Sequence, residues 1–187
     1  MTPRIEPVSE PYDPAVASRL EALMPPGEPP IRLFRTFVRN LPMAARLNAW
    51  GSYYLSRKLS LSLRERELVI DRTTARCGCE YEWGVHIAFY AARVELTPEQ
   101  IRSLAHGTAA DPCWEPRDAL VIEAVDALHD TSTLDDELWQ RLSASFSDAQ
   151  LLDLLMLSGW YHAISFAANA AQVEPEDWAP RFADVLG

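Results

Sequence analysis

The chain has 187 residues, 48% hydrophobic and 24% charged, a composition that suits one folded domain and excludes a mainly disordered or fibrous chain. Seventeen basic against 27 acidic residues leave a formal charge of -10. That balance counts against nucleic acid, whose binding rests on phosphate neutralisation, and against an anionic membrane surface.

Residues 1–14 carry acids and prolines where a secretory signal would carry a basic and then an apolar segment, so the expected location is cytoplasmic. Prolines recur through residues 1–30, and each fixes φ and removes a backbone donor. Only 13–24 can be helical there, with Val16, Leu20 and Leu23 on one face. This segment is read as an arm that docks on the body or on a neighbouring subunit, followed by a single domain over 31–187. From residue 31 onward apolar residues recur at helical spacing with no sustained alternation, which predicts an all-α fold.

The expected helices cover 31–40, 42–58, 63–76, 79–93, 98–106, 116–130, 135–146 and 147–172. Ser62, Thr97, Thr133 or Leu134, and Ser147 stand where helix-start donors need partners. Gly78 supplies a break between two helices. The apolar run 151–173 is interrupted by Asp153, His162, Asn169 and Gln172, so it reads as a core helix rather than a membrane span.

The break at Gly78 puts Cys79 at the first turn of the next helix. At about 100° per residue, Cys79, Glu82 and His86 then share one narrow face. A helix start favours thiolate at Cys79, whereas the Glu82 carboxylate disfavours a second negative charge, and His86 can pass a proton between them. Cys77 falls off that face and is a poor partner for Cys79. Three cysteines, Cys77, Cys79 and Cys113, make no disulfide framework.

The segment from Glu67 to His86 resembles the signature of the carboxymuconolactone decarboxylase and alkylhydroperoxidase D superfamily, a glutamate followed twelve residues later by Cys-x-x-Cys-x-x-x-His. Glu67, Cys79 and His86 match it, and Glu82 stands in place of the second cysteine, the peroxide-attacking residue of the hydroperoxidases. Cys79, Tyr81, Glu82, Trp83 and His86 resemble a decarboxylase-like subgroup. The resemblance implies an all-helical fold, catalytic Glu67, Cys79, Glu82 and His86, no metal or organic cofactor, and homo-oligomers such as dimers, trimers or hexamers. Tyr81, Trp83 and His162 are the expected substrate-binding residues around a small-molecule substrate.

Two other groups are weighed on chemistry alone. Arg72 and Arg76 suit a substrate carboxylate but equally suit nearby acids, and the structural reading has the edge. His106 and His129 sit on separate helices without companion ligands, so no metal is expected. The residue set suits proton movement on a small carbonyl or carboxylic acid: decarboxylation, isomerisation or elimination. The alternatives are thiol-dependent peroxide reduction through Cys79 and a non-catalytic helical oligomer.

Overall fold

A capping box at Ser62 and Glu65 starts the helix around which the molecule is built: Ser62 accepts from the Glu65 amide and Glu65 accepts from the Ser62 amide. The computed structural model describes residues 2–25 and 27–186. Met1 and Pro26 of the expected arm, and Gly187 of the expected body, lie outside the described residues.

Nine α-helices are found among the described residues, and no strand: α1 Pro14–Leu23, α2 Arg32–Phe37, α3 Leu41–Tyr54, α4 Leu63–Arg76, α5 Glu80–Tyr90, α6 Pro98–His106, α7 Pro116–Thr131, α8 Asp136–Ser145 and α9 Asp148–Ala171. The chain is all-α and forms one domain. Thr97 with Gln100 and Ser147 with Gln150 close capping boxes. The start of α8 differs from expectation: the Asp135 carboxylate itself accepts from the Leu138 amide at 2.8 Å and is the cap, because a charged oxygen serves that donor better than Thr133 or Leu134. Helix 31–40 breaks after Phe37 into a 3₁₀ turn, Val38–Asn40, since the Asn40 side chain caps α3. The expected 42–58 helix ends at Tyr54, and 79–93 finishes as a 3₁₀ turn over Ala91–Val94.

Helix α4 packs against α5, α6, α7 and α9, and every residue from Glu65 to Thr74 is buried. Half of that stretch is charged, which an interior tolerates only when partners are supplied. Arg117 meets Glu65, and Arg72 grips Asp126 in a two-pronged pair while donating to the carbonyls of Leu104 and Gly107. Arg76 pairs with Asp126 and Asp130. Both Arg72 and Arg76 are thus structural.

The arm lies on the body, with Leu20 of α1 buried against Val38 and Ala44. Helix α9 is long and apolar enough to cross a membrane by composition, yet half of its most apolar window is buried in the fold. Its Asp153 accepts from Tyr53 Oη, the Ser60 amide and Ser60 Oγ, tying the α3–α4 loop to it. After α9 the chain returns over α5. A Cβ on Gly84 would lie 2.5 Å from the Pro180 carbonyl oxygen, so glycine is required for the tail to approach this closely. Phe182 packs at a tilt against Trp83, and its amide donates to Glu80.

Candidate functional site

The end of α4 decides where the site residues go. Cys77 is its C-cap, Gly78 follows at φ 60°, and the Gly78 and Cys79 amides donate to the Ala75 and Thr74 carbonyls. This paired-bond cap turns the chain sharply, and Cys79 emerges as the N-cap of α5 rather than inside its first turn.

From α4, Glu67 places one carboxylate oxygen 2.8 Å from His86 Nδ1 on α5 and the other 2.6 Å from Arg66 Nε. His86 Nε2 lies 3.0 Å from the Tyr161 hydroxyl on α9. With Nδ1–H donated to the carboxylate, a neutral imidazole presents Nε2 as acceptor and Tyr161 donates to it. Tyr90 stacks on the ring of His86, and the Arg66 guanidinium lies 4.7 Å above Tyr90. The result is a continuous row, Arg66–Glu67–His86–Tyr161, across three helices.

Glu82 stands one turn before His86 on α5, and both are nearly enclosed, 7% and 6% exposed. Burial raises the Glu82 carboxyl above its usual value, opposed by attraction to His86. Asp71, one turn after Glu67, is also held well above the usual carboxylate range, first by burial and then by Glu67, against the pull of Arg66. Its Oδ1 has no hydrogen-bond partner. Burial and the nearby carboxylates likewise keep the Tyr161 phenol protonated. The site therefore holds a paired carboxylate and imidazole next to two acids that resist ionisation.

Cys79 is elsewhere. Its side chain is fully buried in an apolar cluster with Leu33, Tyr81, Val85, Ile164 and Ala168. Burial pushes the thiol up to about 12, with the Glu82 backbone and Ser165 pulling weakly the other way. The expected help from the helix start is thus overridden, because desolvation of a thiolate exceeds what one helix end returns. The described hydrogen bonds that hold His86 do not include Cys79.

The other expected residues also lie outside the row. The Tyr81 hydroxyl accepts from the Leu33 amide and donates to Glu176, fastening α2 and the tail to α5. Trp83 is a core residue against Phe182. His162 points away from His86 and meets His129. In its place Tyr161, one position earlier and so about 100° around α9, faces the imidazole. Asp71 had a legible signal, its four-residue spacing from Glu67, and Arg66 only its adjacency to that glutamate.

Glu67, Asp71 and His86 present oxygen and nitrogen atoms within 4.8 Å of one another. They are a poor cation site, because both Glu67 oxygens are engaged and Arg66 already supplies the positive charge.

Residues 43–126, which contain Glu67, Glu82 and His86, match the carboxymuconolactone decarboxylase family. The matched segment, 84 of the 187 residues, includes all of α4 and α5 and supports a place in the carboxymuconolactone decarboxylase and alkylhydroperoxidase D superfamily. A search of the curated proteins finds no match. Among solved structures, it resembles an uncharacterised peroxidase-related protein from Silicibacter sp. TM1040, at TM-score 0.79 and 16% identity over 95% of this chain and 96% of that one. A peroxidase-related protein with an alkylhydroperoxidase D core from Ralstonia eutropha JMP134 gives 0.77 and 17% over 92% and 93%. The debrominase Bmp8, as an alanine variant in complex with 2,3,4-tribromopyrrole, gives 0.73 and 12% over 100% and 97%. At these identities the likeness is one of fold.

Proposed function

We propose that this chain is an acid-base enzyme of the carboxymuconolactone decarboxylase-like kind that moves a proton on a small carbonyl or carboxylic acid compound, in a decarboxylation, isomerisation or elimination. The observation that carries the reading is the Arg66–Glu67–His86–Tyr161 row with Glu82 beside it. His86 acts as the base, and Glu67 fixes its tautomer and balances the imidazolium formed. Glu82, resisting ionisation, returns a proton; once His86 Nε2 is protonated it donates to the Tyr161 oxygen, which frees the Tyr161 hydrogen to steady a developing enolate oxygen. The bound tribromopyrrole of the debrominase structure supports a small ring as ligand. Side chains alone supply both acid and base in this scheme. The thiol-reductase alternative is disfavoured by Cys79, which is buried and protonated at neutral pH.

An exposed apolar stripe on α9, with Leu152, Met156 and Phe166 at helical spacing, supports self-association of this chain. A homo-oligomer joined through that stripe forms part of the proposal.

The test is exchange of solvent deuterium into a panel of cyclic keto acids and unsaturated lactones, followed by NMR. Wild type should exchange at least one member, and His86→Gln and Glu82→Gln should each lose about 10²–10⁴-fold. Retained exchange in both variants overturns the assignment. One observation favours a second reading, a helical scaffold with a residual polar cluster: Glu82 and His86 are almost closed off from solvent. Absence of exchange and of any ligand-induced rise in melting temperature across the panel selects that reading.

A further inference from the structure

Cys77, the C-cap of α4, packs at the edge of the apolar cluster that holds Cys79 and also meets a second group of chemistry-bearing side chains that the acid-base row does not use. Cys77 Sγ lies 4.0 Å from His129 Nδ1 at the end of α7, and that nitrogen lies 3.0 Å from His162 Nε2 on α9. All three donor atoms fall within 4.8 Å of one another, and all three residues are half-buried. The expectation that His129 has no companion ligands is thereby corrected: its companions come from helices distant in sequence.

We propose that Cys77, His129 and His162 form a binding site for a zinc-class divalent transition-metal ion, separate from the acid-base row. A tetrahedral zinc with two imidazoles and one thiolate has nitrogen–nitrogen edges of about 3.3 Å and sulfur–nitrogen edges of about 3.6 Å, given bond lengths of about 2.0–2.1 and 2.3 Å. The two measured edges depart from these by a few tenths of an ångström. The donor set, one soft sulfur and two borderline nitrogens, selects zinc, cobalt or copper over magnesium or calcium.

The surroundings prepare these atoms as ligands. His162 Nδ1 donates to the Ser158 carbonyl at 2.8 Å, which fixes the tautomer and leaves the Nε2 lone pair facing the site. The Cys77 backbone is held by Asn169, whose side-chain amide donates to its carbonyl at 2.9 Å. The Ser165 hydroxyl is fully buried and lies near the sulfurs of both Cys77 and Cys79, where it can donate to a Cys77 thiolate. Arg76, the nearest cation, is neutralised by Asp126 and Asp130.

Binding balances as follows. Cys77 loses its thiol proton to solvent, and His129 transfers its proton from Nδ1 to Nε2, so one proton is released per divalent ion and no oxidation state changes. Three protein ligands leave one coordination position for water. The ion fastens the ends of α4 and α7 to the middle of α9.

Cobalt titration of the full, chelator-treated, reduced chain tests this, with zinc competition. The expected result is one ion per chain, thiolate-to-cobalt charge transfer with tetrahedral visible bands, and displacement by zinc. Cys77→Ser and His162→Gln should each weaken binding by about 100-fold or more and remove the charge-transfer band or alter its geometry. Ser165→Ala, by loss of its hydrogen bond to sulfur, should weaken it by about 10-fold. His86→Gln and Cys113→Ser should bind as wild type, and circular dichroism of each variant before titration selects those that fold. No stoichiometric binding by wild type, binding that survives both Cys77→Ser and His162→Gln, or binding lost in His86→Gln overturns the proposal.

Discussion

Helix α9 separates two clusters built from similar residues: Tyr161 joins Glu67 and His86 on one side, and its neighbour His162 joins Cys77 and His129 on the other. The first is almost sealed, carries its own buried cation in Arg66 and has hydrogen-bond partners at both imidazole nitrogens. The second is half-buried, and its three donor atoms lie within 4.8 Å of one another. Imidazole chemistry is set by what surrounds the ring. A carboxylate on one nitrogen and a phenol on the other make a proton carrier, whereas lone pairs and a thiol converging from three helices make a ligand set.

The contrast is broken or sharpened by substitution. Glu67→Ala strands Arg66 and His86 in the interior and should lower unfolding free energy by about 3–5 kcal/mol. His129→Ala, in the metal-free chain, should cost only about 1 kcal/mol, because its site is half-solvated. Chemical denaturation of the two variants measures the difference, and equal losses would erase the distinction between sealed and open clusters.

Asp71→Asn isolates the electrostatics of the sealed side. Since the folded-state pKa of Asp71 is raised, its contribution to stability is complete below the unfolded value of about 3.9 and is lost as pH rises toward the folded value. The variant should therefore gain on wild type between pH 5 and pH 8, by up to about 1.4 kcal/mol for each unit of difference that lies within that range. Urea midpoints at the two pH values give the result, and parallel pH dependence would place Asp71 in a more polar setting. Tyr161→Phe is the most conservative of these substitutions. It removes one hydrogen bond from His86 Nε2 and should cost about 0.5–1.5 kcal/mol, read from the same denaturation curves.

Much of this architecture was legible in local chemistry. Caps at Ser62, Thr97 and Ser147 fix three helix starts because the signal lies within four residues. Glu82 and His86 are neighbours for the same reason, being one turn apart on α5. What lay beyond reach depends on rotation between helices. Tyr161 and His162 are equally polar-aromatic, and only the packing of α9 on α4 decides which faces the carboxylate. The burial of Cys79 was hidden because the helix-start argument omits the walls supplied by α2 and α9, including Leu33, Ile164 and Ala168. Tyr81 was misleading in its motif position, since its partner Glu176 lies 95 residues away.

Gly84 ties the helix that carries His86 to a stretch of chain made much later. The Pro180 carbonyl that occupies the space above it follows by roughly a hundred residues, which at about 5–20 residues/s is a delay on the order of 5–20 s during synthesis. Through that interval α5 lacks its cover, and Trp83 lacks Phe182. The order of events in the cell is therefore built into the topology: the proton-carrying helix is made early and closed late.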